Sequence, residues 1–450
     1  MSPVAVVAVG DTESHAIDGL ERSHGPVEVV RRCPELSELL AACQSGMAQV
    51  AVVAAFAEQL TATLVDRLTA VGVGTVAVAA TADEASRLTR LGAHALLGDP
   101  TAESLATAVL AAVDARRHPS VAGYSFLNAE PPGHAWPLPG NNPAEGTGAA
   151  AASAGPGNTA DGHDDDPPVR GGQVVDGLGR VVAVWGPIGS PGRTLLAVNM
   201  AAELAASGSR VLLIDADSYG ASIAAMLGLL DESASFAQAC RVADQGVLVG
   251  TELQGICTEV VFAGGSFALL TGLTRPDRWS ELRAAAVERV LQAARTLAEV
   301  VVIDCGFCLE NDEELSYDTI APRRNAATLT ALAQAQHIYA VGSGDTLGVP
   351  RLVRALEQLS EHGNGATVEV VLNKVRKQAA GRGPVKALEH AWDRFGPDLP
   401  ISHHLPWDPD TTDAALLAGR LLLETAPESP LRRAIRDLCC APVQRNQKPL

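Results

Sequence analysis

The stretch "VVAVWGPIGSPGRTLLAVNM", residues 181–200, places a Gly/Pro-rich loop between an apolar run and an Ala/Leu-rich segment. This order predicts a strand, a tight loop and a helix, as in a phosphate-binding loop. In such loops glycines let backbone N–H groups converge on an anion, a cation reaches the terminal phosphates, and a hydroxyl holds magnesium. Gly189, Gly192, Arg193 and Thr194 supply these parts.

The loop departs from the G-x-x-x-x-G-K-[ST] pattern, because Pro187 replaces the first glycine and Arg193 replaces the lysine. Taken alone, it is better interpreted as an ordinary turn entering a helix. The surrounding aspartates favour the phosphate site. The runs "LLIDADSYG" and "VVVIDCG" put Asp215, Asp217 and Asp304 at the ends of two further predicted strands. Parallel strand ends meet at one edge of a sheet, where carboxylates can hold the water ligands of magnesium and orient an attacking water.

Apolar runs alternate with helical segments throughout residues 181–450. The runs are "VVAVWG", "RVLLIDAD", "FALLTG", "AEVVVIDCG", "HIYAVGSG", "TVEVVLNKV" and "PISHHLP". Such alternation predicts an α/β fold with a doubly wound, mostly parallel sheet, in which ligands bind beyond the carboxyl ends of the strands.

Residues 1–115 repeat the alternation on a smaller scale and predict a second, smaller doubly wound α/β domain. Its layout resembles the response-regulator receiver fold, which needs an acidic cluster after the first strand, an aspartate ending the third and a lysine ending the fifth. Asp11 stands at the first place, but the third run ends at Phe56 without an aspartate and the fifth ends at Asp99 without a lysine. The resemblance therefore implies a pseudo-receiver that makes contacts and does not transfer phosphate.

Residues 116–180 are rich in Pro, Gly, Ala and Asp. This composition cannot bury enough apolar surface to offset the loss of conformational entropy, so a disordered linker is predicted between the two domains.

Residues 181–450 resemble the MinD/ParA class of P-loop ATPases, whose deviant Walker A motif reads K-G-G-x-G-K-[ST]. The resemblance includes "DADSYGAS" at the family's D-x-D-x-x-G segment and "VVIDCG" at its Walker B strand. It also includes "VVLNKVR", whose Asn373 matches the residue that contacts adenine, and "LPWDPDTTDAALLAGR", similar to the late P-x-D segment.

The resemblance implies that ATP and Mg²⁺ are the ligands and that the protein forms a homodimer. It assigns magnesium, partly through water, to Thr194, Asp215 and Asp304, and the positioning of an attacking water to Asp217. The implied nucleotide contacts lie in the loop, in the first turn of the following helix and at one strand end: Gly189, Ser190, Gly192, Arg193, Thr194, Leu195 and Asn373.

The receiver-like first domain narrows the resemblance to the CpaE/TadZ subgroup, which places pilus-assembly and type II-like secretion machinery at cell poles. It implies an ATP-binding switch that docks a secretion or pilus ATPase or another polar protein complex. Two alternatives stay open: a non-catalytic scaffold with a degenerate loop, and a ParA-like partition ATPase.

Three departures from the family bear on catalysis. Ile188 replaces the lysine that, in the family, reaches the nucleotide of the partner subunit. Pro191 has no N–H to donate to a phosphate, and the missing hydrogen bond costs about 1–3 kcal/mol of binding free energy. Arg193 keeps the charge with a different geometry. Nucleotide binding with slow or absent hydrolysis is the expectation. Arg323 and Arg324 are interpreted either as substitute cations or, preferably, as solvated arginines.

The charge balance argues against a nucleic-acid partner, because 52 acidic residues outnumber 34 basic ones for a net charge of −18. No signal peptide or long uninterrupted apolar run is recognised, which predicts a cytoplasmic protein. The C-terminal "SPLRRAIRDLCC" repeats Leu431, Ile435 and Leu438 at helical spacing. A helix packed on its own domain is favoured, and peripheral contact with the inner face of the membrane is the alternative.

Overall fold

The computed structural model of the chain describes residues 3–10, 15–22, 25–117, 177–229, 233–311, 322–362 and 365–440. Asp11 and most of the predicted linker, residues 118–176, lie outside these ranges. Within them the chain forms two α/β units, each built on its own sheet.

The first unit has a five-stranded parallel sheet in the order β2-β1-β3-β4-β5, one of the two common doubly wound orders. Its strands are β1 (Val4–Val9), β2 (Val27–Cys33), β3 (Val50–Val53), β4 (Gly74–Ala79) and β5 (His94–Leu97). Its helices are α1 (His15–Arg22), α2 (Leu36–Gln44), α3 (Ala62–Ala70), α4 (Ala82–Arg90) and α5 (Ala102–Arg117).

Continuous apolar strands explain why this sheet is covered on both faces. Every residue of β3 is fully buried. Helices α1 and α5 pack on one face and α2, α3 and α4 on the other, giving two separate apolar clusters. All five strands fall on the predicted apolar runs.

The second unit has an eight-stranded sheet in the order β13-β12-β11-β6-β10-β7-β9-β8. Its strands are β6 (Arg180–Trp185), β7 (Val211–Ala216), β8 (Thr258–Phe262), β9 (Gly265–Leu270), β10 (Val300–Cys305), β11 (His337–Ser343), β12 (Thr367–Val375) and β13 (Ile401–Pro406). Its helices are α6 (Arg193–Ala206), α7 (Ile223–Met226), α8 (Ser235–Asp244), α9 (Gly250–Ile256), α10 (Ala284–Leu297), α11 (Ala326–Gln334), α12 (Gly348–Glu361), α13 (Lys377–Ala380), α14 (Pro384–Phe395), α15 (Pro409–Ala418), α16 (Leu422–Thr425) and α17 (Pro430–Cys440).

Strand β8 is the element that the sequence analysis missed. It pairs antiparallel with β9 at the end of the sheet, while the other strand pairs are parallel. Its residues alternate between exposed and partly buried positions, because an edge strand covers the core with one face only. A short alternating segment gives a weaker signal than the continuous runs of the central strands.

The strand order places β6 at a topological switch point. The chain moves from β6 to β7 on one side, returns through β10, and then continues to β11 on the other side. Such a point opens a crevice at the carboxyl ends of the strands, and the loop 186–192 lies there.

The two units contact each other through helices. Helix α3 of the first unit contacts α8 and α10 of the second, and Arg87 and Arg90 of α4 donate to carbonyls of the residues that follow α8. The Thr63 N–H donates to Asp244 Oδ1 at 2.8 Å, and Arg289 donates to the carbonyl of Leu91 at 2.8 Å. Arg90 donates to the carbonyl of Gly246 at 3.0 Å.

Helix α17 uses its apolar face inside its own unit. Leu431, Ile435 and Leu438 are buried in the cluster formed with α6, and Arg432 forms a bidentate ion pair with Glu203 of α6. The residues that a membrane would contact are therefore part of the domain core. Across the described ranges, no helix has both the length and the apolarity that a bilayer crossing requires.

Candidate nucleotide-binding site

The loop between β6 and α6 is shaped by three residues with positive φ: Gly189 (+116°), Ser190 (+52°) and Gly192 (+99°). A Cβ on Gly192 would overlap the side-chain nitrogen of Asn373, so the close packing and the backbone conformation both require glycine there. Ser190 is a non-glycine residue in the left-handed region, a costly conformation that often marks a functional loop.

The amino end of α6 opens directly into this loop. The first intrahelical hydrogen bond runs from the Leu196 N–H to the Gly192 carbonyl at 3.0 Å. The N–H groups of Arg193, Thr194 and Leu195 therefore precede the helical ladder and, with the helix dipole, favour an anion.

The Arg193 side chain folds back over its own loop. Its Nη1 donates to the carbonyls of Gly186 at 2.7 Å and Pro187 at 3.2 Å, and its Nη2 lies 3.5 Å from Asp217 Oδ2. Only 11% of the side chain is exposed. The guanidinium is thus positioned by the loop and by one of the predicted carboxylates together.

The three predicted aspartates lie on adjacent strands next to the loop. Asp304 of β10 is the register partner of Asp215 of β7 on one side and of Val184 of β6 on the other. Asp215 and Asp304 are each 1% exposed and Asp217 is 8% exposed. Such a concentration of buried carboxylates requires compensating donors or cations.

Backbone donors satisfy two of these carboxylates. Asp215 accepts N–H bonds from Ser222 at 2.9 Å and Ile223 at 3.0 Å. Asp217 accepts N–H bonds from Tyr219 at 2.9 Å and Gly220 at 3.2 Å, in addition to its contact with Arg193.

Asp304 is different, because its Oδ1 atom is buried without a hydrogen-bond partner. Burial raises the pKa of Asp304 well above its usual range and the charge of Asp215 adds to the rise, while hydrogen bonding with the Thr194 hydroxyl opposes it. Burial also raises the pKa of Asp215 to about 6. A cation bound between these carboxylates would lower their pKa values and favour their charged forms. Buried carboxylates with raised pKa values are typical of functional sites.

Asn373 and Lys374, at the end of β12, donate hydrogen bonds to backbone carbonyls of the β6–α6 loop. The Asn373 amide donates to the Pro191 carbonyl at 2.8 Å, and its Oδ1 accepts the Lys374 N–H at 2.7 Å. Lys374 Nζ donates to the Ser190 carbonyl at 2.7 Å. Asn373 thus positions the loop, and its contact with adenine stays a prediction.

The comparison with protein families agrees with this geometry. Residues 182–417, more than half of the chain, match the CobQ/CobB/MinD/ParA nucleotide binding domain. The chain belongs to this family. The loop, the three aspartates and Asn373 all lie within the matched residues.

Individual relatives are distant in sequence or match over short segments. The chain is 22% identical over 259 residues to an uncharacterized ATP-binding protein of Methanocaldococcus jannaschii, which covers 57% of this chain and 85% of that protein. It is 52% identical over 55 residues to an iron-sulfur cluster carrier protein of Deinococcus radiodurans, covering 12% of this chain and 16% of that protein. A ParA family ATPase from Chlorobium tepidum has a TM-score of 0.47 and 18% identity, covering 58% of this chain and 98% of that one.

The side chains that the structure describes do not form a complete metal site by themselves. Among the described residues, no group of three or more His, Cys, Asp or Glu side chains is arranged to hold a metal ion. A magnesium ion in a nucleotide site takes most of its ligands from phosphate and water, so one hydroxyl and one or two carboxylates suffice. Thr194 and the unpartnered oxygen of Asp304 fit that requirement.

Two arginines, Arg323 and Arg324, lie between strand β10 and helix α11. Arg324 lies 4.3 Å from the centroid of the Tyr219 ring, and Ser218 donates to its carbonyl at 3.3 Å. Arg323 is exposed and donates to Asn311 at 3.1 Å. Residues 312–321, which precede them, lie outside the described ranges. Arg324 therefore packs on the segment that follows Asp217 and is not a freely solvated side chain.

The sequence analysis missed two basic residues beside the loop, Lys374 and Arg351. A Cβ built on Gly189 would lie 2.6 Å from Arg351 Nη1, so the guanidinium lies directly against the loop. Lys374 lies in the last residues of β12, and Arg351 lies in the first turn of α12, which follows the neighbouring strand β11. The segment "VVLNKVR" already contained Lys374 next to Asn373, but no local pattern pointed to Arg351.

Proposed function

We propose that the chain binds ATP with Mg²⁺ between the β6–α6 loop and the aspartate cluster and acts as a nucleotide-dependent switch. The observation that carries the proposal is Asp304 Oδ1, a buried carboxylate oxygen without a partner beside Thr194 and the amino end of α6. A buried, unpaired carboxylate costs stability, and a functional ligand explains why it is kept.

Different residues would contact the phosphates and the magnesium ion. The N–H groups of Arg193, Thr194 and Leu195 would face the phosphates, and the Arg193 guanidinium would leave its loop carbonyls to contact them. Thr194 and Asp304 would hold magnesium, with Asp215 reaching it through water. When bound, magnesium supplies positive charge against the phosphates and orders the nucleotide.

Slow or absent hydrolysis is part of the proposal. Ile188 places an apolar side chain that is 59% exposed where the family carries a lysine. Pro191 withholds one loop N–H. Asp217, which we assign to the positioning of an attacking water, is already engaged by Arg193 and two backbone N–H groups. ATP turnover should therefore be slow even where ATP binds well.

For the whole chain we propose a receiver-like domain (1–115), a linker (116–180) and an ATPase-type domain (181–450), as in the CpaE/TadZ subgroup. The sheet order of the first unit supports its receiver-like assignment. The proposed role is a cytoplasmic homodimer that docks pilus or secretion machinery, at the cell pole or at the inner face of the membrane. The linker and the first unit would supply partner contacts.

The decisive experiment is an ATP titration of the wild type and Arg193→Ala, with and without Mg²⁺, together with the oligomeric state. Wild-type binding that requires Mg²⁺, and that falls at least about 30-fold in Arg193→Ala, is expected, since a charge-assisted phosphate contact contributes about 2 kcal/mol or more. Equal, negligible binding by both proteins would overturn the proposal.

A non-catalytic scaffold is the second candidate. It is favoured by one observation, namely that the loop's own carbonyls and Asp217 already satisfy the Arg193 guanidinium. Dimerisation that does not respond to ATP, in a protein that retains no nucleotide on purification, would support it. A ParA-like partition ATPase would instead show salt-sensitive binding to arbitrary duplex DNA.

A further inference from the structure

Ile188 stands where the family has the first lysine of the loop, and its apolar side chain cannot bring a positive charge to the phosphates. We propose that Arg351 supplies this charge from within the same chain, by contacting the terminal phosphate of the bound nucleotide. The inference rests on the proposed function, because it requires that a nucleotide binds at the β6–α6 loop.

Arg351 lies beside the β6–α6 loop because contacts of the preceding residues fix the position of the first turn of α12. Helix α12 follows β11, the strand next to β6, so its first turn begins at the carboxyl edge of the sheet. Asp345 Oδ1 accepts the N–H groups of Leu347 at 3.0 Å and Gly348 at 2.8 Å. Gly348 packs so closely on Ser343 that a Cβ would overlap its carbonyl. The position of Arg351, one turn into the helix, follows from these contacts.

The Arg351 guanidinium lies against the backbone of Gly189, the residue after Ile188. The distance from Arg351 Nη1 to the Cβ position of Gly189 is 2.6 Å, so any side chain larger than a hydrogen there would displace the guanidinium. Arg351 therefore approaches the loop at the place in the sequence where the family's lysine is missing.

Arg351 also differs from the other cations near the loop in what it binds. Arg193 is held by two loop carbonyls and Asp217, and Lys374 donates to the Ser190 carbonyl. Arg376 donates to the Lys374 carbonyl and lies 5.4 Å from the Trp407 ring centroid. The ion pairs formed among the described residues do not include Arg351. Its fork of N–H donors is available for a phosphate, which such a fork can bind in two places.

The dependence of ATP affinity on protein concentration distinguishes a phosphate contact made within one chain from a contact made by a partner subunit. If Arg351 provides the charge, then the affinity of each protomer for ATP does not depend on protein concentration. ADP lacks the terminal phosphate, so the contribution of Arg351 is expected for ATP and not for ADP.

The test compares the affinities of the full chain for fluorescent ATP and ADP analogues, with Mg²⁺, in the wild type, Arg351→Ala and Arg351→Lys. Arg351→Ala should weaken ATP binding about 10- to 100-fold and ADP binding less than about 3-fold. Arg351→Lys should restore part of the ATP affinity, because it keeps the charge. Arg354→Ala removes an exposed arginine one turn further along α12 and should change neither affinity.

Each outcome separates this inference from the proposed function. A wild type that binds neither nucleotide contradicts the proposed function itself. A wild type that binds ATP, with an Arg351→Ala variant that keeps its affinity or loses ATP and ADP equally, contradicts the role of Arg351 alone. An ATP affinity that rises with protein concentration and survives in Arg351→Ala places the missing charge on a partner subunit. Equal melting temperatures of the variants confirm that all of them are folded.

Discussion

The carboxyl edges of the two sheets differ sharply although both sheets are doubly wound. At the edge of the first sheet, the N–H groups of Ala54 and Ala55 after β3 both donate to the Val9 carbonyl. At the edge of the second, the buried Asp304 near the end of β10 keeps an unpartnered oxygen. The described backbone groups after β3 are therefore paired, whereas a buried carboxylate oxygen of β10 is not. The architecture alone does not specify a site, and the residues at the edge do.

The difference extends to stability. At the first edge Ala54 and Ala55 follow β3, whereas at the second edge Asp215 and Asp304 have raised pKa values. Keeping such groups lowers the stability of the ligand-free protein, and functional sites commonly show this trade-off. Matched substitutions at the two edges test whether the second is specialised in this way.

The largest effect is expected from Gly192→Ala, compared with Gly98→Ala at the end of β5. Both glycines have positive φ, +99° and +77°, but a Cβ on Gly192 overlaps Asn373 while a Cβ on Gly98 meets nothing within 4 Å. Gly192→Ala should lower the free energy of unfolding by about 2–4 kcal/mol and abolish nucleotide binding, because strain and overlap add. Gly98→Ala should cost about 1 kcal/mol, the strain alone, and leave binding intact. Denaturant unfolding and ATP titration measure both, and equal losses at the two sites would remove the contrast.

The next effect is a gain of stability. Asp304→Asn removes a buried ionisable group, and it should raise the free energy of unfolding by about 1–2 kcal/mol at pH 7. The same change should weaken Mg²⁺-dependent nucleotide binding at least about 10-fold. Asp99→Asn, at an exposed position of the first edge, should change stability by less than about 0.5 kcal/mol.

The stability gained by Asp304→Asn should depend on pH, because Asp304 titrates at different pH values in the folded and unfolded states. The folded protein holds the Asp304 proton to a higher pH than the unfolded chain, because burial raises the pKa of Asp304 in the folded state. Wild-type stability therefore falls as pH rises above the unfolded value of about 4. The advantage of Asp304→Asn should be smallest near pH 4 and increase toward pH 7. An advantage that decreased over this range would show that the carboxylate is ionised and satisfied in the fold.

Local sequence patterns were sufficient for the central strands and for the placement of the aspartates. Continuous apolar runs mark strands that are buried on both faces, and Asp215 and Asp304 end such runs, so their proximity followed from parallel pairing. Strand β8 escaped because its alternation is short and half exposed. The fold class, with its mostly parallel sheet, was thus predicted correctly, and only the position of the antiparallel strand β8 was missed.

The contacts between distant segments could not be predicted in the same way. Arg351 and Lys374 lie more than 150 residues after the loop, and they reach it only because β11 pairs with β6 and β12 pairs with β11. Nothing local to Arg351 distinguishes it from Arg354 on the same helix. Asn373 was found through family resemblance, and its hydrogen bond to the Pro191 carbonyl emerged only from the structure.

The smallest effect concerns how firmly the two units are joined. Asp244 Oδ1 accepts bonds from both the backbone N–H and the hydroxyl of Thr63, at 2.8 and 2.5 Å. Asp244→Ala and Thr63→Ala should each lower the free energy of unfolding by about 0.5–1.5 kcal/mol. In the double variant the losses should not add, since both remove the same hydroxyl-to-carboxylate bond, and a coupling energy of at least about 0.5 kcal/mol is expected. Additive losses would mean that the bond between the Thr63 hydroxyl and Asp244 contributes nothing to stability. In that case the association of the two units would depend on their other contacts, among them those of Arg90 and Arg289 with the carbonyls of Gly246 and Leu91.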